Sequence, residues 1–266
     1  MYSGTTFNRT SGNYFGVHQR IDRLAWRQLS TLDSHYFPEL TQILHFEGKN
    51  GPDGIKRKMP STDELWHFID PTDPKDGALL GLIHDHHINL VTALKLKDEQ
   101  RAAFEAAWLA HAVVDGLTPA HHYPLADKFE EVLGKSIDSR NSVRKKIVLP
   151  GNTRRQKFRN NWEFWGAKGV LTSHYLFEWG VAGALTPTRN LKIEVTDDGI
   201  ENLKNHGFEA VFRERLATIH QLDMYETFCR DGWTPKLARQ TRRELIPLIV
   251  NTVILAWLNA VYEANR

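Results

Sequence analysis

Among 266 residues there is a single cysteine, Cys229. One thiol excludes an internal disulfide framework and any cysteine-rich zinc ribbon. Charge of one sign is also missing: 34 Lys and Arg face 32 Asp and Glu, a formal charge of +2 that singles out no class of partner. The opening MYSGTTFNRTSGNYFG has no apolar core segment and is not a secretory signal peptide, so the chain as written reads as cytoplasmic, or as exported if a leader has been trimmed away. No internal repeat, no Gly-x-Ser-x-Gly elbow and no phosphate-binding glycine loop occurs, which removes the usual signatures of a serine nucleophile or a nucleotide site. Long apolar runs are confined to residues 245–262, where Pro247, Asn251, Thr252 and Asn259 interrupt a stretch of spanning length. That segment reads as a buried core helix, and the chain is expected to have no transmembrane segment. With 41% apolar and 25% charged residues the remainder is globular in composition.

Strand signals are scarce too, limited to Leu191–Val195, so the expected fold is all-α: one multi-helix domain over residues 1–266. Apolar spacing predicts helices over Gly16–Ser30, Asp76–Leu96, Asp98–Val114, Gly169–Leu185 and Phe208–Arg230. Ser61-Thr62-Asp63-Glu64 has the pattern of a capping box, and Thr234-Pro235 opens a last helix. Between the helices lies a basic insertion, about residues 126–168. Its 139–162 portion carries Arg140, Arg144, Lys145, Lys146, Arg154, Arg155, Lys157 and Arg159 and no acid, with a break at Pro150-Gly151-Asn152. Two readings stand: a solvated loop, or a segment that attracts an anionic surface such as a phospholipid headgroup layer or a nucleic-acid backbone.

What the sequence has in plenty is histidine, thirteen in all. His111 and Asp115 stand four apart in a helical stretch, which puts their Cβ atoms ~5–6 Å apart on one face, close enough to share a cation. His121 follows beyond a Gly/Pro turn. His174 and Glu178 repeat the spacing on a second apolar helix. Each pair would bury a carboxylate that needs a partner, and a metal ion supplies one. His35, His45, His206 and His220 have no ligand-like spacing and read as structural. His122, next to His121, reads as a supporting or exposed side chain.

The segment LAHAVVDGLTPAH, residues 109–121, resembles the H-x3-D-x5-(P)-x-H signature of the zinc-dependent phospholipase C family, whose helical scaffold also occurs in single-strand-specific zinc nucleases and in the catalytic domain of GPI-specific phospholipase D. Trp66-His67-Phe68-Ile69-Asp70-Pro71 is similar to the family's H-F-x-D-P segment, Asp53 lies where it places a ligating aspartate, His18 where it places a first histidine, and His174-x3-Glu178 matches its closing pair. The resemblance implies a cluster of two to three zinc ions: Asp53, His67, His111 and Asp115 on the first, His121, His174 and Glu178 on the second, His18 and a bridging Asp115 on the third. Asp53 would double as the catalytic carboxylate. Apart from the resemblance, the basic segment offers Arg154 and Arg155 as contacts for an anionic substrate. The resemblance implies a phosphodiester hydrolase of the phospholipase C type, acting on a phospholipid or related diester by in-line attack of zinc-bound hydroxide on phosphorus; the basic segment adds an anionic membrane surface as a candidate partner. Two alternatives stay open: a single-strand nuclease on the same scaffold, with nucleic acid as partner, and a non-catalytic metal-stabilised module binding lipid or protein. An imidazole and carboxylate set also suits manganese or iron.

The match departs at the third ion. The family chelates it with the amine and carbonyl of an N-terminal tryptophan, and this chain starts at Met1 with no tryptophan before His18. Either the third site is missing or another group completes it, with His84, His86 and His87 as candidates. Helical spacing puts His84 and His87 on a common face, with His86 pointing elsewhere.

Overall fold

The computed structural model describes residues 1, 16–32, 35–54, 67–122, 148–167, 169–186, 193 and 195–266. Its elements among these residues are all helical: α1 (Val17–Leu32), α2 (Leu40–His45), a 3-10 turn (Gly48–Asn50), α3 (Ala78–Leu96), α4 (Glu99–Gly116), a second 3-10 turn (Pro119–His121), α5 (Arg154–Trp165), α6 (Val170–Leu185), α7 (Asp197–His220), α8 (Met224–Asp231), α9 (Pro235–Gln240) and α10 (Ile246–Ala264). The all-α expectation holds. Ser61–Glu64 lies outside the described residues, as does most of Leu191–Val195, where Ile193 and Val195 are not in a strand.

Helices α3 and α4 form an antiparallel hairpin at the centre. The chain reverses at Lys97, which takes the left-handed conformation (φ 53°, ψ 32°) so that the amide N–H of Asp98 reaches Ala93 O at 2.9 Å. Asp98 then caps α4 by accepting from the Arg101 amide at 3.0 Å. Alanines and valines bury α4 on all sides, from Ala102 to Val114, so neighbours can pack close around it. Against it lies α10, tied by Trp257 Nε1, which donates to Ala106 O at 3.0 Å.

The span from Pro235 to Ala264 is long and apolar enough to cross a membrane, and 72% of its most apolar window is buried inside the protein. Thr241 and Thr252 satisfy their hydroxyls on Leu237 O and Leu248 O, and Asn259 bonds Glu263. Pro247 has no amide hydrogen for Arg243 O, and a π turn over Thr241–Leu245 widens the helix just ahead of it.

Two expectations need correction. The helix expected over Phe208–Arg230 is broken at Gln221–Asp223, where Asp223 is left-handed (φ 52°). A further helical segment precedes it from Asp197, separated only by a kink at Gly207 (φ 78°). The part of the basic insertion within the described residues is likewise no loop: Arg154–Trp165 is helical, capped by Thr153, and rests on a small separate core of Leu149, Phe164 and Leu171. Residues 126–147 and 168 lie outside the described residues.

Candidate metal centre

The C-terminal end of α4 is where distant parts of the chain converge. Asp115 is fully buried there, and its two carboxylate oxygens face different neighbours. Oδ2 contacts His67 Nδ1 and lies 3.2 Å from His111 Nε2. Oδ1 lies 2.6 Å from the α-amine of Met1, 3.2 Å from His18 Nε2 and 3.7 Å from His121 Nδ1. The Met1 carbonyl accepts from His18 Nε2 at 2.8 Å. Asp53 Oδ1 stands 3.9 Å from His111 Nε2. On the other side Glu178 Oε1 lies 3.1 Å from both His121 Nε2 and His174 Nε2, and 3.4 Å from the Met1 amine.

Three groups able to hold a metal ion come out of this packing: Asp53, His67 and His111; His121, His174 and Glu178; and His18, Glu47 and His111, with the candidate atoms of each group within 4.8 Å of one another. Two ligands on one tetrahedral ion at ~2.0–2.2 Å sit about 3.3–3.6 Å apart. The observed separations bracket that value. The eight residues expected as ligands lie in this one cluster, Asp115 through its contacts with His18, His67, His111 and His121, and all but Asp53 are buried.

Local structure fixes the ring orientations. His121 Nδ1 donates to His67 O at 2.8 Å, and the Ile69 amide donates back to His121 O at 3.2 Å, so the 67–70 segment and the Pro119–His121 turn hold each other in place. With its one proton on Nδ1, a neutral His121 presents a bare Nε2 lone pair to a Glu178 oxygen. Burial, then the Met1 ammonium, push His121 down to about 4, which keeps it neutral. Burial would raise Glu178, but Met1 and His174 outweigh it and hold the carboxyl well below its usual range. His121, His174 and Glu178, all buried, gather their ligand atoms within 4.8 Å of one another, and this is the observation that makes the set fit a metal.

The same balance acts around Asp115. Burial opposes its charge, yet Met1, then His121, His111 and His67, keep it well below the ordinary carboxylate range. The Met1 amine is disfavoured by burial and rescued by Asp115 and Glu178, which raise it to about 10. Glu47 and Asp115 overcome burial to raise His111 well above its usual value.

Two contributors were not expected. Glu47 accepts from His111 Nδ1 at 3.0 Å and is buried, so it aims Nε2 at Asp53 and Asp115. No helical spacing marked it, although it shares the glycine-rich 46–54 loop with Asp53. Met1 supplies a backbone amine and carbonyl at the place left open for the third site. Asp22, four residues after His18 on α1, is buried beside Glu47; burial and that neighbour push its carboxyl well above the usual range. His18-x3-Asp22 is the same spacing as His111-x3-Asp115 and could have been noticed.

The other histidines fall elsewhere. On α3 His84 is exposed, while His86 and His87 are buried. His86 Nδ1 pairs with Glu105 at 2.5 Å, and His87 Nε2 lies 3.3 Å from Glu263 and 3.2 Å from Asn259. His86 and Trp108 line a cavity of about 10 Å³ together with His67 and His111. His122 is buried, bonded to Gly116 O, and pushed down to about 3 by burial. His35, His45 and His206 are exposed and His220 half-buried, and none of them joins a ligand group. Arg154 and Arg155 are exposed on α5, with no bond or ion pair to a side chain of the cluster among the described residues.

Compared with family models, with curated proteins and with solved structures, the chain finds no match in any of the three.

Proposed function

We propose that this chain is a metal-dependent phosphodiester hydrolase of the phospholipase C type that its sequence resembles, holding two to three zinc ions. The observation that carries this reading is Asp115, a buried carboxylate with one oxygen toward His67 and His111 and the other toward Met1 and His18. That is the placement a bridging ligand requires. Asp53, His67, His111 and Asp115 would hold one ion, and His121, His174 and Glu178 another. The Met1 amine and carbonyl, with His18 and the second Asp115 oxygen, would hold the third. With Met1 as the first residue, its amine and carbonyl would stand where the family uses those of tryptophan.

When bound, such ions supply Lewis acidity, which acidifies water near neutral pH and neutralises phosphate oxygens. The protein's own part is to orient and to move protons. Glu47 and the His67 carbonyl set the His111 and His121 rings in advance of substrate. Asp53 is the most accessible carboxylate of the set, its side chain 31% exposed, and its Oδ1 is the natural acceptor for the proton of an attacking water. Arg154 and Arg155 add positive charge on α5 for an anionic substrate.

Turnover of p-nitrophenyl phosphorylcholine tests the reading. The expected result is hydrolysis that a chelator stops and added zinc restores. Zinc-loaded protein that cleaves neither this diester nor phospholipid nor single-stranded DNA would refute it. A nuclease reading draws on the exposed Trp162 and Trp179, since arginine beside exposed tryptophan also suits single strands; salt-sensitive cleavage of single strands, without lipid hydrolysis, would favour it.

A further inference from the structure

Large aromatic side chains are exposed on this protein in one continuous row. Phe158 is 71% exposed and Trp162 64%, stacked on each other along α5 with ring centroids 6.2 Å apart. Trp165, one turn on, stacks on Tyr175 of α6 at 6.1 Å, and Trp179, 61% exposed, follows Tyr175 by one turn. Leu176 is exposed beside them. Contiguous apolar surface of this kind marks a site of interaction rather than chance exposure.

We propose that this ridge across α5 and α6 is the face by which the protein lies on an anionic phospholipid bilayer. The argument for this occupant is charge together with ring chemistry. Arg155 and Arg159 line one surface groove with Phe158 and Trp162, a concavity of about 570 Å³. The whole of α5 carries Arg154, Arg155, Lys157 and Arg159 against the single acid Glu163. Tryptophan and tyrosine rings settle at the level of lipid headgroups, phenylalanine and leucine reach further in, and arginines bind the phosphates. A single-stranded nucleic acid would need ring faces open for stacking. Here stacking already takes one face of four of the rings, Phe158 on Trp162 at 18° and Trp165 on Tyr175 at 8°.

The ridge also leads to the metal centre. Tyr175 sets its ring edge-on to His174 at 5.7 Å, and His174 is paired with Glu178. A bilayer seated on the ridge would hold headgroups beside the cluster, so the inference deepens the phospholipase reading and rests on it for its catalytic sense. Binding itself needs no turnover, and the two can fail separately.

The test is co-sedimentation of the full chain with vesicles of equal parts phosphatidylglycerol and phosphatidylcholine, alongside hydrolysis of p-nitrophenyl phosphorylcholine. The expected result is binding to these vesicles that the double variant Phe158→Ser, Trp162→Ser weakens on the order of tenfold or more, with the soluble diester hydrolysed as before. Phe158→Leu, Trp162→Phe should keep the affinity, which separates a membrane contact from a fold defect. Vesicle binding that depends on these two residues, in a protein that hydrolyses no diester, supports the membrane face and overturns the catalytic reading instead. Failure of the parent chain to bind, equal binding by the serine variant, or binding of a single-stranded oligonucleotide in preference to vesicles would overturn the inference.

Discussion

The α-amine of Met1 lies 2.6 Å from Asp115 Oδ1, across 114 residues of chain, and the carbonyl of the same residue accepts from His18 at 2.8 Å. One residue thus brings two main-chain atoms into the most buried part of the histidine cluster. Its side chain has no role in that contact.

Blocking the amine is therefore predicted to act on metal content. Acetylated Met1, or a chain extended ahead of it, should bind about one zinc fewer per molecule and lose turnover by about tenfold or more, while His121, His174 and Glu178 keep their ion. Elemental analysis and turnover measured together check this. An unchanged zinc count would show that the terminus is a bystander.

Asp115→Asn should abolish turnover and lower the melting temperature. The change leaves the Met1 ammonium and the surrounding imidazoles without their buried counter-charge, a loss of about 3–5 kcal/mol in comparable buried pairs. Calorimetry and the diester assay read both effects. By contrast His206→Ala, at an exposed position on α7, should change neither.

Glu47→Gln keeps the shape of the side chain and removes the charge that holds His111 Nδ1. Zinc affinity should fall about 10–100-fold with little change in fold, the range expected for a supporting carboxylate behind a ligating histidine. Titration with a competing chelator measures it, and an unaltered affinity would leave Glu47 as a packing group only.

Two glycines on α6 should respond with opposite signs. A Cβ on Gly180 would sit 1.7 Å from the indole of Trp233, whose Nε1 bonds Leu176 O, whereas a Cβ on Gly183 meets nothing within 4 Å. Gly180→Ala is expected to cost about 1–3 kcal/mol through overpacking, and Gly183→Ala to stabilise by about 0.5–1 kcal/mol through helix propensity. Thermal denaturation of the two variants compares them directly.

The parts of the centre that were legible in the sequence were those with a local period. His111 with Asp115 and His174 with Glu178 declare themselves because a helix places residues four apart on one face. Asp53 and His67 sit at positions with no such spacing, and only the resemblance to a family pointed to them; His18 has that spacing with Asp22, but it too was reached through the resemblance. Glu47 and Met1 escaped both routes. Glu47 lies in a glycine-rich loop with no period, and Met1 contributes a terminal amine and a main-chain carbonyl that any first residue would offer, so its identity carried no signal. The breaks in α7 and after it were hidden for a related reason: apolar spacing continues across Gln221–Asp223, while the direction of the chain does not. Tertiary contacts also decided which tryptophans face outward. Trp257 is buried, and Trp26, Trp108 and Trp233 pack against the core, whereas Trp162 and Trp179 stand exposed on helices of similar pattern.

Anomalous scattering at the zinc edge from crystals of the purified chain tests the central claim most directly. The account predicts one peak enclosed by His121, His174 and Glu178, a second by Asp53, His67, His111 and Asp115, and a third between Met1, His18 and Asp115. Zinc-supplemented crystals with no peak at these positions, the same side chains being bonded only to one another, would contradict it.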